Sequence, residues 1–177
     1  GTGHAALCEL NYTPEQPDGS VDISKALEVN TEFDLSRQFW AYLTKKGAIK
    51  NPQAFIHPVP HMSFVRGAEN AKFLKKRFDA LTAHHCYHGM EFSDDKAKIA
   101  EWIPLVMEGR DPGEIVAATR MVTGNDVDYG ALTTVLLDSL KGQQGFSINF
   151  FSRVQDLERD GDGWNVKIRD EKTGVHK

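Results

Sequence analysis

His4, His61, Arg66, Arg110 and Arg120 fall at the ends of predicted elements. Together they offer imidazoles, which exchange protons near neutral pH, and guanidinium forks, which match planar carboxylates. That combination suits a small dicarboxylate, with forks holding the acid groups and an imidazole taking a hydroxyl proton. Each residue also has a plainer reading. Arg66 follows a strand and can face water, and Arg110, in Glu108-Gly109-Arg110-Asp111-Pro112, can pair with Asp111.

Metal chemistry is less well served. His57 and His61 are four residues apart, but Pro58 and Pro60 between them forbid a regular helix, and no glutamate follows the first histidine as in a metalloprotease helix. His84, His85 and His88 flank Cys86 without a defined geometry and are read as surface or structurally satisfied groups, so no metal ligand is assigned. The acidic run Glu158-Arg159-Asp160-Gly161-Asp162-Gly163 has calcium-loop features, but position twelve is Arg169, where a bidentate carboxylate is required. A hairpin turn explains that run better.

The elements that position these groups follow from periodicity. The segment 1–19 reads as loop, ending in an Asp18-Gly19 turn. Ala26, Val29, Phe33, Trp40 and Leu43 predict an amphipathic helix from Ser24 to about Lys46, with Leu35, Phe39 and Tyr42 widening its apolar stripe and Gly47 stopping it. Strands are expected over 54–57 and 61–65, a helix over 68–81, and a third helix capped by Ser93 and ended by Pro104. Residues 115–122 are β-prone without clean alternation. A helix capped by Asp128, a strand over 146–151 and a hairpin of 154–159 with 164–169 complete a mixed α+β order.

Charge and composition exclude some classes. Of 177 residues, 21 are Lys or Arg and 25 are Asp or Glu, a formal charge of −4, and no basic block reaches the density of a nucleic-acid footprint. Two cysteines cannot form a disulfide framework, and no long apolar run resembles a signal peptide or membrane span, so a reducing, cytoplasmic setting is expected. The ends are abrupt. The chain opens on a glycine-rich turn running into apolar residues and closes past a strand with nothing to cover it, which reads as a piece of a longer polypeptide. The alternative is a complete small protein with a processed N-terminal glycine.

Four stretches carry a resemblance over essentially the whole chain: GTGHAALCELNYTPEQPDG, FIHPVPHMSFVRG, EWIPLVMEGRDP and TGNDVDYGALT. In this order they resemble the middle of the malate:quinone oxidoreductase family, flavin enzymes of the tricarboxylic acid cycle. The family converts malate to oxaloacetate and passes electrons to quinone. The resemblance implies an internal fragment of an FAD-linked oxidoreductase fold, a Rossmann-type FAD domain interrupted by a substrate domain on a mixed sheet. The dinucleotide fingerprint would lie before Gly1 and the flavin-covering segment beyond Lys177.

By that resemblance residues 1–19 form a flavin-proximal loop, residues 20–122 belong mostly to the substrate domain, and residues 123–177 return to the FAD domain. Gly1, Thr2, Gly3 and His4 would run beside the flavin, and Val154 would lie near the adenine. His61 and His4 are the candidates for base or orienter, with Arg110 and Arg120 as carboxylate clamps. Relatives often carry an aromatic at the position of Arg66, which weakens its case as a ligand. The implied partners are malate and quinone, with peripheral contact at the cytoplasmic face of a bacterial inner membrane and none with nucleic acid. FAD would be bound by the full-length parent, and the fragment alone would be inactive and flavin-free. A non-catalytic module binding a small carboxylate is the competing reading.

Overall fold

The computed structural model describes residues 4–176. It is a mixed helix-and-sheet chain that divides into two compact units, Gly1–Leu137 and Asp138–Lys177. In the first, helix α1 spans Ser24–Lys45, and Gly47, at φ +78°, closes it in the left-handed conformation that glycine adopts without a Cβ clash. Ala26, Phe33 and Trp40 are its buried residues. Trp40 meets Phe33 and Phe55 edge-on, with ring centroids 6.3 and 5.5 Å apart. Leu35, Phe39 and Tyr42 do not widen this stripe, being 58%, 53% and 55% exposed. At about 100° per residue they lie roughly 200° round the helix from Phe33, on its opposite side.

The site rests on a three-stranded antiparallel sheet ordered β2-β4-β3, made of β2 (His61–Arg66), β3 (Glu91–Ser93) and β4 (Val116–Met121). A separate two-stranded pair joins β1 (Ile56–Pro58) to β5 (Asn125–Val127). Five of the six residues of β4 are buried without alternation because the strand is central and covered on both faces. The register sets His61 opposite Met121, Ser63 opposite Thr119 and Val65 opposite Ala117, while Met62 faces Arg120 and Phe64 faces Ala118. Side chains alternate across a sheet, so these two sets point to opposite faces.

The first face packs on α2 (Ala68–Thr82), where Val65 and Ala117 meet Leu74. The second packs on α3 (Lys96–Trp102) and the short α4 (Pro104–Met107), where Ala118 and Phe64 meet Ile99, Trp102 and Met107. Asp95 rather than Ser93 caps α3, accepting the Ala97 N–H at 2.9 Å. Ser93 instead accepts the N–H of Asp95 at 3.1 Å. Pro104 opens α4 at its first turn, where its missing N–H costs nothing. Helix α5 (Tyr129–Lys141) is capped by Asp128, which accepts the Ala131 N–H at 2.9 Å.

In the second unit, β6 (Ser152–Asp160) and β7 (Gly163–Asp170) form the expected hairpin, turning at Gly161 with φ +57°. Residues 146–151 do not form the expected strand. Positive φ at Gly145 (+81°) and Phe151 (+57°) bounds the stretch. Among the described residues no strand pairs with it, and alternation without a ladder partner leaves no sheet to form. No helix among the described residues is long and apolar enough to cross a membrane.

Candidate active site

His61 opens β2 after the stiff Pro58-Val59-Pro60 approach. Its Nε2 lies 3.1 Å from the carbonyl oxygen of Asn125. A carbonyl only accepts, so this contact assigns the neutral ring's proton to Nε2 and leaves Nδ1 with a bare lone pair. Nδ1 is buried and has no hydrogen-bond partner among the described residues. The ring is fixed further by Gly124, where an added Cβ would stand 2.5 Å from His61 Cδ2 and 2.4 Å from the Val59 carbonyl oxygen. Only a residue without a side chain lets the backbone pass the imidazole this closely.

The N-terminal segment lies across the same face of the sheet. Ser63, two residues along from His61, donates to the Cys8 carbonyl at 2.8 Å. Arg77, fully buried in the core stripe of α2 between Leu74 and Leu81, donates to the carbonyls of Leu7 and Glu9 at 3.3 Å and to Thr13 Oγ1 at 2.9 Å. Thr13 in turn donates to the Leu10 carbonyl at 3.0 Å. Four consecutive carbonyls of a segment outside any sheet are thus satisfied from the core, as buried backbone acceptors require. Burial pulls the Arg77 pKa below its ordinary value, yet guanidinium stays charged. Ala6 holds φ +52° while fully buried, a strained conformation kept by its surroundings.

A cavity of about 250 Å³ borders Gly124 and Asn125, the residues that hold the His61 ring; Ala5 and Leu7 of this segment, Phe33 and Arg37 of α1, and His85 and Cys86 also wall it, while His61 itself does not line it. Asn30 borders it and donates to the Ala5 carbonyl at 2.9 Å. Arg37, Asp34 and Asn125 also line an adjoining groove of about 620 Å³ that runs over Trp40 and Phe55.

The other candidates separate. His4 takes the Ala6 N–H on Nδ1 at 3.3 Å, lies 3.5 Å from Glu9 and stacks on Tyr12 at 5.6 Å, one residue before the cavity wall. Arg110 and Arg120 are on the far face of the sheet from His61. Arg110 donates to the Val106 carbonyl at 2.6 Å and to Glu114 at 2.8 Å, with its guanidinium 4.6 Å from the Phe64 ring centroid. Its partner is Glu114, not Asp111. Arg66 reaches the same Glu114 at 3.4 Å. Arg120 stacks over Trp102 at 5.9 Å with Glu91 at 3.9 Å. Val154 is exposed on the hairpin of the second unit. Gly1, Thr2 and Gly3 lie outside the described residues. His84, His85 and Cys86 bring one ligand atom each within 4.8 Å of one another, with His84 Nδ1 already accepting the Cys86 N–H at 3.4 Å.

Arg37 and Arg77 are absent from the sequence-based candidates, although a periodic signal marks both. Arg37 is four residues from Phe33 and three from Trp40, and Arg77 is three from Leu74 and four from Leu81, so each is a cation inside an apolar stripe. Scoring only apolar residues along a helix hides such positions.

Burial, with the Glu9 carboxylate adding to it, pushes the Cys8 thiol up to about 11 from 9.0. A thiol raised on folding contributes stability in full below pH about 9, and that contribution is lost as pH rises through about 11. The folded protein should therefore hold about a hundredth of the ordinary Cys8 thiolate at pH 8. Mass-spectrometric timing of iodoacetamide labelling should show Cys8 at least about ten-fold slower in the folded chain than in urea. Equal rates in the two states would contradict the buried thiol.

The first unit thus carries helices over both faces of an antiparallel sheet, a histidine held in one tautomer and a small polar cavity. Residues 1–177 match the family described as malate:quinone oxidoreductase (Mqo). A probable malate:quinone oxidoreductase of Granulibacter bethesdensis is 62% identical over 175 residues, covering 98% of this chain and 35% of its own length. One of Bordetella avium is 63% identical over 171 residues, 96% of this chain and 34% of its own. One of Geobacillus sp. is 55% identical over 181 residues, 100% of this chain and 35% of its own. The chain belongs to the malate:quinone oxidoreductase family and spans about a third of the length of these relatives.

Proposed function

We propose that this chain is the part of a flavin-linked enzyme that holds malate while it is oxidised to oxaloacetate, the electrons passing on to quinone. In this reading residues 1–19 run along the flavin, residues 20–122 are mostly substrate domain and residues 123–177 return to the FAD domain, with Val154 toward the adenine. The observation that carries it is the His61 ring, whose bond to the Asn125 carbonyl leaves Nδ1 unpaired while Asn125 and Gly124, the residues that hold the ring, line a cavity of small-acid size. The segment after residue 3 fits a flavin wall, because Ala5 and Ala6 are small and the strained Ala6 backbone is held from below through the captured carbonyls. FAD, when bound by the full-length parent, supplies the hydride acceptor for C2 of malate.

The chain's own residues do the rest. His61 accepts the C2 hydroxyl proton at Nδ1, and the Asn125 carbonyl, still accepting from Nε2–H, stabilises the resulting imidazolium. Because Nδ1 is shielded, substrate entry and ring exposure are coupled. His4, restrained by Glu9 and Tyr12, orients the flavin-side wall. Arg110 and Arg120 lie on the sheet face away from His61, where Glu114 and Glu91 already pair with them. Delivery to quinone places the parent at a membrane surface, peripherally on the cytoplasmic side of the inner membrane.

The test is anaerobic mixing of the full-length protein with malate, which should bleach its flavin and form one equivalent of oxaloacetate. The isolated 177-residue segment should be colourless and inactive, since hydride transfer needs a bound acceptor. A full-length flavoprotein that malate does not reduce would overturn this reading in favour of a carboxylate-binding module.

A further inference from the structure

We infer that Arg37 holds the carboxylate of malate remote from C2, and so sets the preference for a dicarboxylate over a monocarboxylate. This deepens the proposed function and rests on it. A guanidinium that clamps substrate must line the cavity bordered by the residues that hold the His61 ring, and must have donors to spare. Of the arginines in the first unit, Arg66 and Arg110 are both drawn to Glu114. Arg120 is on the opposite sheet face, over Trp102 and near Glu91. Arg77 is fully buried, its Nε and Nη2 donating to Thr13 and backbone carbonyls and its Nη1 without a partner among the described residues, and it does not line the cavity. Arg37 alone among them lines the cavity that Asn125 and Gly124 share, the two residues that fix the His61 ring.

Arg37 is also uncommitted: among the described residues it has no ion pair and no hydrogen-bond partner. It lies on the Phe33–Trp40 side of α1, so the same helical phase that buries those rings carries the guanidinium to the cavity edge. The neighbouring acid, Asp34, has Oδ2 engaged by the Gln38 side-chain amide at 2.7 Å and makes no pair with Arg37. The remaining polar wall is Asn30, whose amide donates to the Ala5 carbonyl, with Thr123, Asn125, His85 and Cys86, and it holds no second carboxylate. A volume of about 250 Å³ is below the range of drug-sized sites and suits a four-carbon acid.

The experiment uses the full-length flavoprotein with Arg37→Gln and Arg37→Lys. Anaerobic flavin reduction is followed against malate and against 2-hydroxybutyrate, which keeps the chain length and lacks the second carboxylate. Binding of malonate to the oxidised enzyme is followed by its perturbation of the flavin spectrum. Arg37→Gln should raise the half-saturating malate concentration and the malonate Kd about 10- to 100-fold. Its use of 2-hydroxybutyrate should change less than about three-fold, so that the discrimination ratio falls. Arg37→Lys should recover part of the loss, because it restores the charge without the fork. Flavin content and Tm should stay at the wild-type values, since Arg37 is exposed and makes no contact that the fold needs. Unaltered malate saturation and malonate binding in Arg37→Gln, with a wild type that malate reduces, would overturn the inference while leaving the function standing. A wild type that malate does not reduce would remove the function and the inference together.

Discussion

His61→Asn in the full-length enzyme should slow anaerobic flavin reduction by malate about 10²- to 10⁴-fold, the usual contribution of a positioned general base. That is roughly 3–5 kcal/mol of transition-state stabilisation. Asparagine is smaller than histidine, so it fits against Gly124, where the backbone already passes at the limit of contact. It can still form a hydrogen bond but cannot accept the hydroxyl proton. Flavin content should stay near wild type, and the pH dependence of reduction that reports the base should disappear. If His61 merely orders the turn between β1 and β2, the variant should lose Tm or flavin before it loses chemistry. An unchanged reduction rate and pH profile would rule out the proton-accepting role.

Arg77→Met should lower stability by about 2–4 kcal/mol, an expected Tm loss of about 5–10 °C. Two effects oppose each other. Methionine removes a buried charge that no carboxylate contacts, which by itself favours the variant. It also strips the donors from the carbonyls of Leu7 and Glu9 and from Thr13 Oγ1, which is fully buried with its residue. The second effect should win, because a segment with no sheet partner has nothing else to bond to. Arg77→Lys keeps the charge and loses the fork, so it should also fall below wild type. Limited proteolysis should cut first between residues 4 and 13 in both variants. A Tm within 2 °C of wild type for Arg77→Met would show that desolvation of the charge cancels the bonds.

Much of the helical architecture was legible because helices declare themselves locally. The stripe of Ala26, Phe33 and Trp40 and the Gly47 stop located α1, and Asp128 marked the start of α5. The hairpin was legible for the same reason, since Gly161 and Asp162 turn a chain that pairs with itself. The family was legible in the order of four long motifs. Residues 146–151 alternate well but form no strand, because a strand needs a neighbour and alternation cannot say whether one is present. The site depended on distant partners even more. Sequence marked His61, Arg110 and Arg120 by residue type, but the pairing of Met62 with Arg120 and of His61 with Met121 puts His61 and Arg120 on opposite faces. One residue of register decides that, and register is a tertiary property here. Likewise Glu114 pairs with Arg110, the Asn125 carbonyl accepts from His61 Nε2–H 64 residues away, and Arg37, lining a cavity with Asn125, has no partner among the described residues. Residue chemistry was written in the sequence; which groups share a cavity, and which are already spent on each other, was decided only when the sheet closed.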